Sequence, residues 1–551
     1  MSNAAQNTMV ERQLGGEAGH RSFFGGSGKG PRNILLALCG VGLVVGAPFF
    51  GAPAVVVAVI AALLVFLVTA RTHRGSILDR RERRVRWKDR RRAGIDRYTP
   101  FDVAQWDQLT QLSQDKTAGK EDRWTAAREL AAMRTMPDGA DGMGWLQMGR
   151  REPGIAWHAP MGEKPYLSVV FTVTGQLRGA EPNSVARRAA EAFGEFLASR
   201  AAPSSLLRRV QVTTRVLPPD NAFNAAWAEV SLDPTIPTNH PAVLSYGDVL
   251  HTAGRDAMVQ RHTITACWPI DAEFVDVARG YGEGRDGWRA LMHREIESAE
   301  RGLRAARLGD VAVLTARQTG AHVVHGQNPF HPIDQPVDDP GKLGVASHDE
   351  YSAHIVTATN PETGAEVEWW HRTAAIKAEN LAVGKRSQLW MLDLLIGSEL
   401  HFLRTVSFHH QLIPASEARA AARRDLVRDQ AAQMNDAEKG RLANDETHVN
   451  KTAAQLRNAD LGYGSRHHGD SWIGYVTITE TSRDRLQIAS RQLEEVCENG
   501  LGVEHLDWQD SFQSAASGTT WPIGRGIQTE KPSVTNRVYR KLAGKTNKEA
   551  L

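Results

Sequence analysis

Two adjacent histidine pairs, His409-His410 and His467-His468, are the residues whose type best suits chemistry in this chain. Imidazoles hold metal ions, but neighbours along a strand point to opposite faces, so His409 and His410 do not share one ion easily. His467-His468 stand in the glycine-bearing stretch SRHHGDS, where solvated polar residues are expected. Gly25-Gly-Ser-Gly-Lys-Gly30 has the outline of a phosphate-binding loop, but the working pattern needs Ser or Thr after the lysine, with a strand before and a helix after. Here Lys29 is followed by Gly30 and Pro31. LWMLDLLIGSE (389–399) imitates the apolar strand with a terminal acid that would complete a nucleotide site; without the loop it reads as a core helix. No G-x-S-x-G, H-E-x-x-H or Cys–His pattern is found. Cys39, Cys267 and Cys497 have neither metal-ligand nor disulfide spacing, which fits a reducing compartment. The sequence therefore points to no catalytic residue, no cofactor and no metal.

The elements that would position any site hang from one stretch. Ile34 to Ala70 runs thirty-seven residues without a charged side chain. As one helix it would be about 55 Å long, against a hydrocarbon core of about 30 Å. Gly46-Ala47-Pro48 and Gly51-Ala52-Pro53 offer a break. The expectation is a two-helix membrane hairpin, Ile34–Phe50 and Ala54–Ala70. Arg12, Arg21, Lys29 and Arg32 precede it, and Arg71 to Arg97 carries twelve Lys or Arg against four acids. Positive flanks on both sides predict both termini in the cytoplasm, at the inner membrane. The membrane-flanking basic residues are Arg71, Arg74, Arg80, Arg81, Arg83, Arg84, Arg86 and Lys88. Lipid headgroups are their first expected partner, and DNA is the alternative. Net charge over all 551 residues is only +3, so the positive charge is local.

Residues 1–32 read as a flexible lead, 33–70 as the hairpin, and 71–150 as a basic and helical linker. A first α/β body spans 151–345, with a strand at Leu167–Thr174, a helix at Asn183–Ser199 and returning strands at Leu206–Leu217 and Gln260–Trp268. A second spans 346–526, with strands at Glu366–Lys377, Phe402–His410 and Ser471–Thr479 and a helix at Ser482–Glu498. Ala415–Asn458 is charged and Ala-rich, a long helical arm, and 527–551 is a basic tail. The fold class expected is α+β: a membrane hairpin, then two cytoplasmic ferredoxin-like α/β bodies with that arm. Arg261-HTITACW-Pro269-IDAEF and Arg404-TVSFHHQLI-Pro414-ASEAR both run Arg, strand, Pro, helix start, as two copies of a ferredoxin-like half would. Trp369-Trp370 alternate across a strand, so one is expected in the core and the other as a candidate partner contact.

Laid out in this order, the chain resembles actinobacterial conjugation and type IV secretion-like membrane proteins that join a PrgI-type two-span hairpin to an α/β body. RTVSFHHQLIPASEARAAARRD (404–425), the arm, WIGYVTITETSRDRLQIASRQLEEVCENGLGVEHLDW (472–508) and SFQSAASGTTWPIGRG (511–526) are similar to the N-terminal domain of TrbE/CagE-type conjugation ATPases. Those enzymes continue from this point into a motor, whereas 25 residues remain here. The resemblance implies a non-enzymatic membrane platform of a conjugative DNA-transfer machine. Such a platform would dock a separate motor ATPase, sit among other machine subunits as part of an oligomeric complex, and meet DNA indirectly at most. The alternatives are a scaffold subunit of another actinobacterial export system, type VII-like, and a membrane-tethered enzyme of unrecognised chemistry.

Overall fold

The computed structural model describes residues 12–14, 36–42, 44, 48–49, 51–69, 77–160, 164–176, 181–218, 230–233, 235–253, 258–361, 363–382, 384–387, 389–396, 400–420, 422–423, 427, 459–462 and 467–526. In chain order the strands are β1 (Arg12–Leu14), β2 (Arg97–Pro100), β3 (Met133–Arg134), β4 (Met143–Gln147), β5 (Ile155–His158), β6 (Tyr166–Val173), β7 (Arg209–Leu217), β8 (Val259–Pro269) and β9 (Val311–Val313). They continue as β10 (Ser347–Glu350), β11 (Ala353–Thr359), β12 (Glu366–Ile376), β13 (Gly384–Arg386), β14 (Leu403–Ile413), β15 (Gly469–Glu480) and β16 (Asp507–Trp508). β1 and β13 pair with each other; the other fourteen form a single sheet. Its order is β3-β2-β10-β11-β12-β15-β14-β7-β8-β6-β5-β4, with β16 beside β12 and β9 beside β6.

That order contains the same unit twice. β6, β7, β8 and β9 lie as β9-β6-β8-β7, all antiparallel. β12, β14, β15 and β16 lie as β16-β12-β15-β14, also all antiparallel. Both show the first, second, third and fourth strands in the order 4-1-3-2 of a split β-α-β unit. Helices Ala272–Arg279 and Gly284–Ala305 join the third and fourth strands of the first unit, and helix Arg483–Asn499 does so in the second. The two second strands meet, Arg209–Val216 of β7 against Arg404–Gln411 of β14, antiparallel. An approximate two-fold axis therefore runs through that pair.

One face of the sheet is apolar. In the first unit Leu167, Phe171 and Trp268 pack on Leu291, Met292, Ile296 and Leu303 of helix Gly284–Ala305, whose three- and four-residue spacing puts them on one stripe. In the second, Ile376, Val476 and Ile478 pack on Leu486 and Leu493 of helix Arg483–Asn499. Each such side chain contributes about 1.5–3 kcal/mol when fully buried. Helix Ala272–Arg279 starts at Asp271, whose carboxylate accepts from the Phe274 N–H at 3.0 Å.

Three expectations are corrected. Among the described residues, no helix is long and apolar enough to cross a membrane. The apolar stretch contributes helical residues 36–42, 44 and 48–49 and, beyond Gly51 at φ +57°, the helix Ala52–Thr69. The membrane hairpin thus falls, and with it the inner-membrane location with both termini cytoplasmic. Second, the two α/β bodies are not separate: main-chain hydrogen bonds of β7 and β14 join them into the one sheet. Third, the two matched Arg–strand–Pro segments are not equivalent copies. Arg261 lies on β8, the third strand of its unit, and Arg404 on β14, the second strand of the other. The lead 1–11, the loop Gly25–Gly30, Arg71, Arg74, most of the arm after 420 and the tail 527–551 lie outside the described residues.

Candidate functional site

Strand alternation gives the central sheet a second, polar face. β7 presents Gln211, Thr213 and Arg215; β14 presents Thr405, Ser407 and His409; β15 presents Tyr475, Thr477 and Thr479; β12 presents His371 and Thr373. All are buried. Burying so many polar groups costs free energy unless each finds a partner, and the partners come largely from one segment, Ser511–Gly526. Gln211 Nε2 donates to Trp521 O at 2.8 Å and to Ser407 Oγ at 2.8 Å, while its Oε1 accepts from Gly524 N at 2.7 Å. Tyr475 Oη donates to Gly526 O at 2.5 Å. Thr477 Oγ1 pairs with Thr520 Oγ1 at 2.8 Å, and Gln513 Oε1 accepts from Thr373 N at 2.8 Å.

The histidines on this face are held neutral. His409 Nε2 lies 2.8 Å from Thr519 O, and His371 Nε2 lies 2.8 Å from Gln327 O. A carbonyl only accepts, so both rings carry the proton on Nε2. His371 Nδ1 then accepts from Thr479 Oγ1 at 2.9 Å. Burial pushes both pKa values down to about 3. Arg215 donates to Thr405 Oγ1 at 2.9 Å, and burial lowers its pKa to about 10, so it stays cationic.

The edge of this layer is a buried charged junction. Helix Ile77–Ala93 sends Arg90 inward, where Nη1 lies 3.0 Å from Asp349 Oδ2 and donates to Ser511 O at 2.9 Å. Nη2 reaches Asp138 Oδ2 at 3.3 Å, and the guanidinium carbon sits 4.1 Å from the centre of the Phe512 ring. Ser514 contacts both acids: its Oγ is 2.7 Å from Asp349 Oδ2 and 2.8 Å from Asp138 Oδ2, and its N–H donates to Asp349 Oδ1 at 2.9 Å. Burial outweighs the Arg90 charge and raises Asp349 to about 7. Arg525 pairs with Asp141 on the same loop as Asp138. Close backbone approach needs glycine here: a Cβ on Gly139 would stand 2.7 Å from the Trp521 ring and 2.8 Å from Gly518 Cα.

The junction therefore clamps 507–525 between the basic helix, the loop at 138–141, β10 and the sheet. The arrangement is a polar layer buried between the sheet and the segment that covers it. Among the described residues no group of three His, Cys, Asp or Glu could hold a metal. His409 and His410 do point apart: His409 faces the covered layer, and His410 Nδ1 lies 2.7 Å from Asp470 Oδ2 at the partly open rim.

The basic residues singled out from sequence divide by face. Arg83 docks inward, 3.3 Å from Asp507 Oδ1 and 3.4 Å from Trp508 O. Arg81, Arg84, Arg86 and Lys88 are exposed and Arg80 is half-buried. Trp369 is buried against Phe330, ring centres 5.0 Å apart. Trp370 packs half-buried on the opposite core, its indole N–H donating to Glu368 at 3.1 Å. Sequence reasoning missed Arg90, Asp138, Asp349 and Ser514. Arg90 sits inside a run of like charges, and only its position on the same helical face as Arg83, seven residues earlier, marks it as inward. No protein-family profile matches the chain, and none of the curated proteins searched matches it.

Proposed function

We propose that this chain is a non-enzymatic platform subunit of a conjugative, type IV-like DNA-transfer machine, docking a separate motor ATPase. One observation carries the reading. The segment similar to the last part of a conjugation ATPase's N-terminal domain, 511–526, is folded back as the cover of the chain's own sheet. Its backbone and side chains are engaged with Gln211, His409, Tyr475 and Thr477. In that position it closes a rigid body instead of presenting a nucleotide site. A large continuous sheet held this way suits a scaffold, which must keep its shape while a motor cycles against it. Co-purification of the full chain from its own cell tests the proposal, and a conjugation ATPase among its partners is the expected result. Nucleotide turnover by the purified chain alone, or recovery of small helical export substrates in place of that ATPase, overturns it.

A further inference from the structure

The inner face of helix Ile77–Ala93 is occupied by Arg83 and Arg90, which bind Asp507, Asp349 and Asp138. Its outer face is a different surface. Arg81, Arg84, Lys88 and Arg91 follow one another at steps of three or four, Arg92 stands four after Lys88, and all are exposed. From Arg81 to Arg92 the stripe runs about 16 Å along the axis. Between Arg83 and Arg92 there are seven basic residues and one acid, Asp89. Such a stripe fits a polyanion.

What lies at its end narrows the class. Arg128 Nη2 donates to the Arg91 carbonyl at 3.4 Å, and the same guanidinium lies 4.8 Å from the centre of the Trp124 ring. Trp124 is 55% exposed. Arg128 also lines a cavity of about 320 Å³, together with Arg97, Gln105, Thr125 and Glu129 among others. Phe101 and Trp106, ring centres 5.6 Å apart, are exposed nearby. The helices carrying Trp106 and Trp124 also bear Asp107, Glu121, Asp122 and Glu129 against Lys120, Arg123 and Arg128, so this second region is near neutral and its attraction is aromatic.

We propose that the outer face of helix Ile77–Ala93, with Trp124 and the adjoining cavity, binds single-stranded nucleic acid. A cationic track beside an exposed, Arg-backed indole is how unpaired strands are held: phosphates on the cations, bases on the ring. A duplex keeps its bases stacked and leaves Trp124 and the cavity unused. A helix that enters a bilayer does so by an apolar face, and here the face opposite the stripe is docked on protein, which leaves only electrostatic attraction to headgroups and no use for the exposed indole beside it. The inference stands on this surface alone and is independent of the docking of a motor.

The test is fluorescence anisotropy of labelled oligo-dT with the full chain, across a salt series. Engagement of three to five phosphates gives a log K against log salt slope of about −2 to −3.5. R84E/K88E/R91E is expected to weaken binding more than tenfold and flatten the slope by about 2. W124A is expected to weaken binding about tenfold and leave the slope unchanged. Absence of binding at low salt, equal or tighter binding to the matching duplex, parent-like binding by both variants, or capture by phosphatidylserine vesicles that oligo-dT does not compete would each overturn it.

Discussion

Arg90 Nη1 and Asp349 Oδ2 stand 3.0 Å apart with both side chains almost fully buried, yet the carboxyl is raised to about 7. The folded protein thus holds a proton on Asp349 more tightly than the unfolded chain, where the value is near 3.8. This contribution to stability is fully present below about pH 4 and is lost as pH rises towards 7. Asp349→Asn should remove that slope, worth on the order of 4 kcal/mol across the window. Urea unfolding of variant and parent at several pH values measures the difference. The comparison must be differential, because His371 and His409, lowered to about 3, make stability fall as pH drops below about 6.5. Parallel pH profiles for the two proteins would contradict the assignment.

Gly518→Ala drives a methyl group into the Gly139 backbone. Overpacking of this kind costs about 1–3 kcal/mol. It should also loosen the cover, shifting emission from buried Trp521 to longer wavelength. Gly144→Ala, where a Cβ meets nothing within 4 Å, is the control and should change stability by less than about 0.5 kcal/mol.

Arg404 is a buried cation with no carboxylate partner among the described residues. It is satisfied by carbonyls: Leu394 O at 2.7 Å, Leu400 O at 2.6 Å and Leu395 O at 3.1 Å. These gather the short helix Leu392–Ile396 and the chain after it onto β14. Arg404→Met leaves the acceptors unmet and should lower stability by about 3 kcal/mol. The reading is a lower urea midpoint with an unchanged m value. A midpoint within error of the parent would mean that water replaces the guanidinium.

How much of this was legible depends on which face a residue serves. The strand expected at Leu167–Thr174 is β6, Tyr166–Val173, because Val169, Val170 and Phe171 leave little choice but a buried strand. The helix expected at Ser482–Glu498 is Arg483–Asn499, with Ser482 accepting from the Arg485 N–H as its cap. The polar face was not legible. Thr405, Ser407, Thr477 and Thr479 alternate with apolar residues as solvent-facing positions do, and the groups that bury them are distant in sequence: 511–526 above all, with Arg215 and His371 from neighbouring strands. Nor could β7 be matched to β14 from local pattern, since nearly two hundred residues separate partners such as Gln211 and Ser407. The apolar run 34–70 carried the opposite error. Hydropathy alone suggested two spans, and the described helices fall short of one.

The central claim, a platform that docks a separate motor, is tested most directly by isothermal titration calorimetry. The full chain is titrated with the conjugation ATPase of its own cell, without nucleotide. Saturable heat with a Kd in the micromolar range or tighter, a binding free energy of about −8 kcal/mol or better, is the predicted result. No saturable heat at concentrations near 100 µM, roughly −5.5 kcal/mol, from protein that remains folded would contradict it.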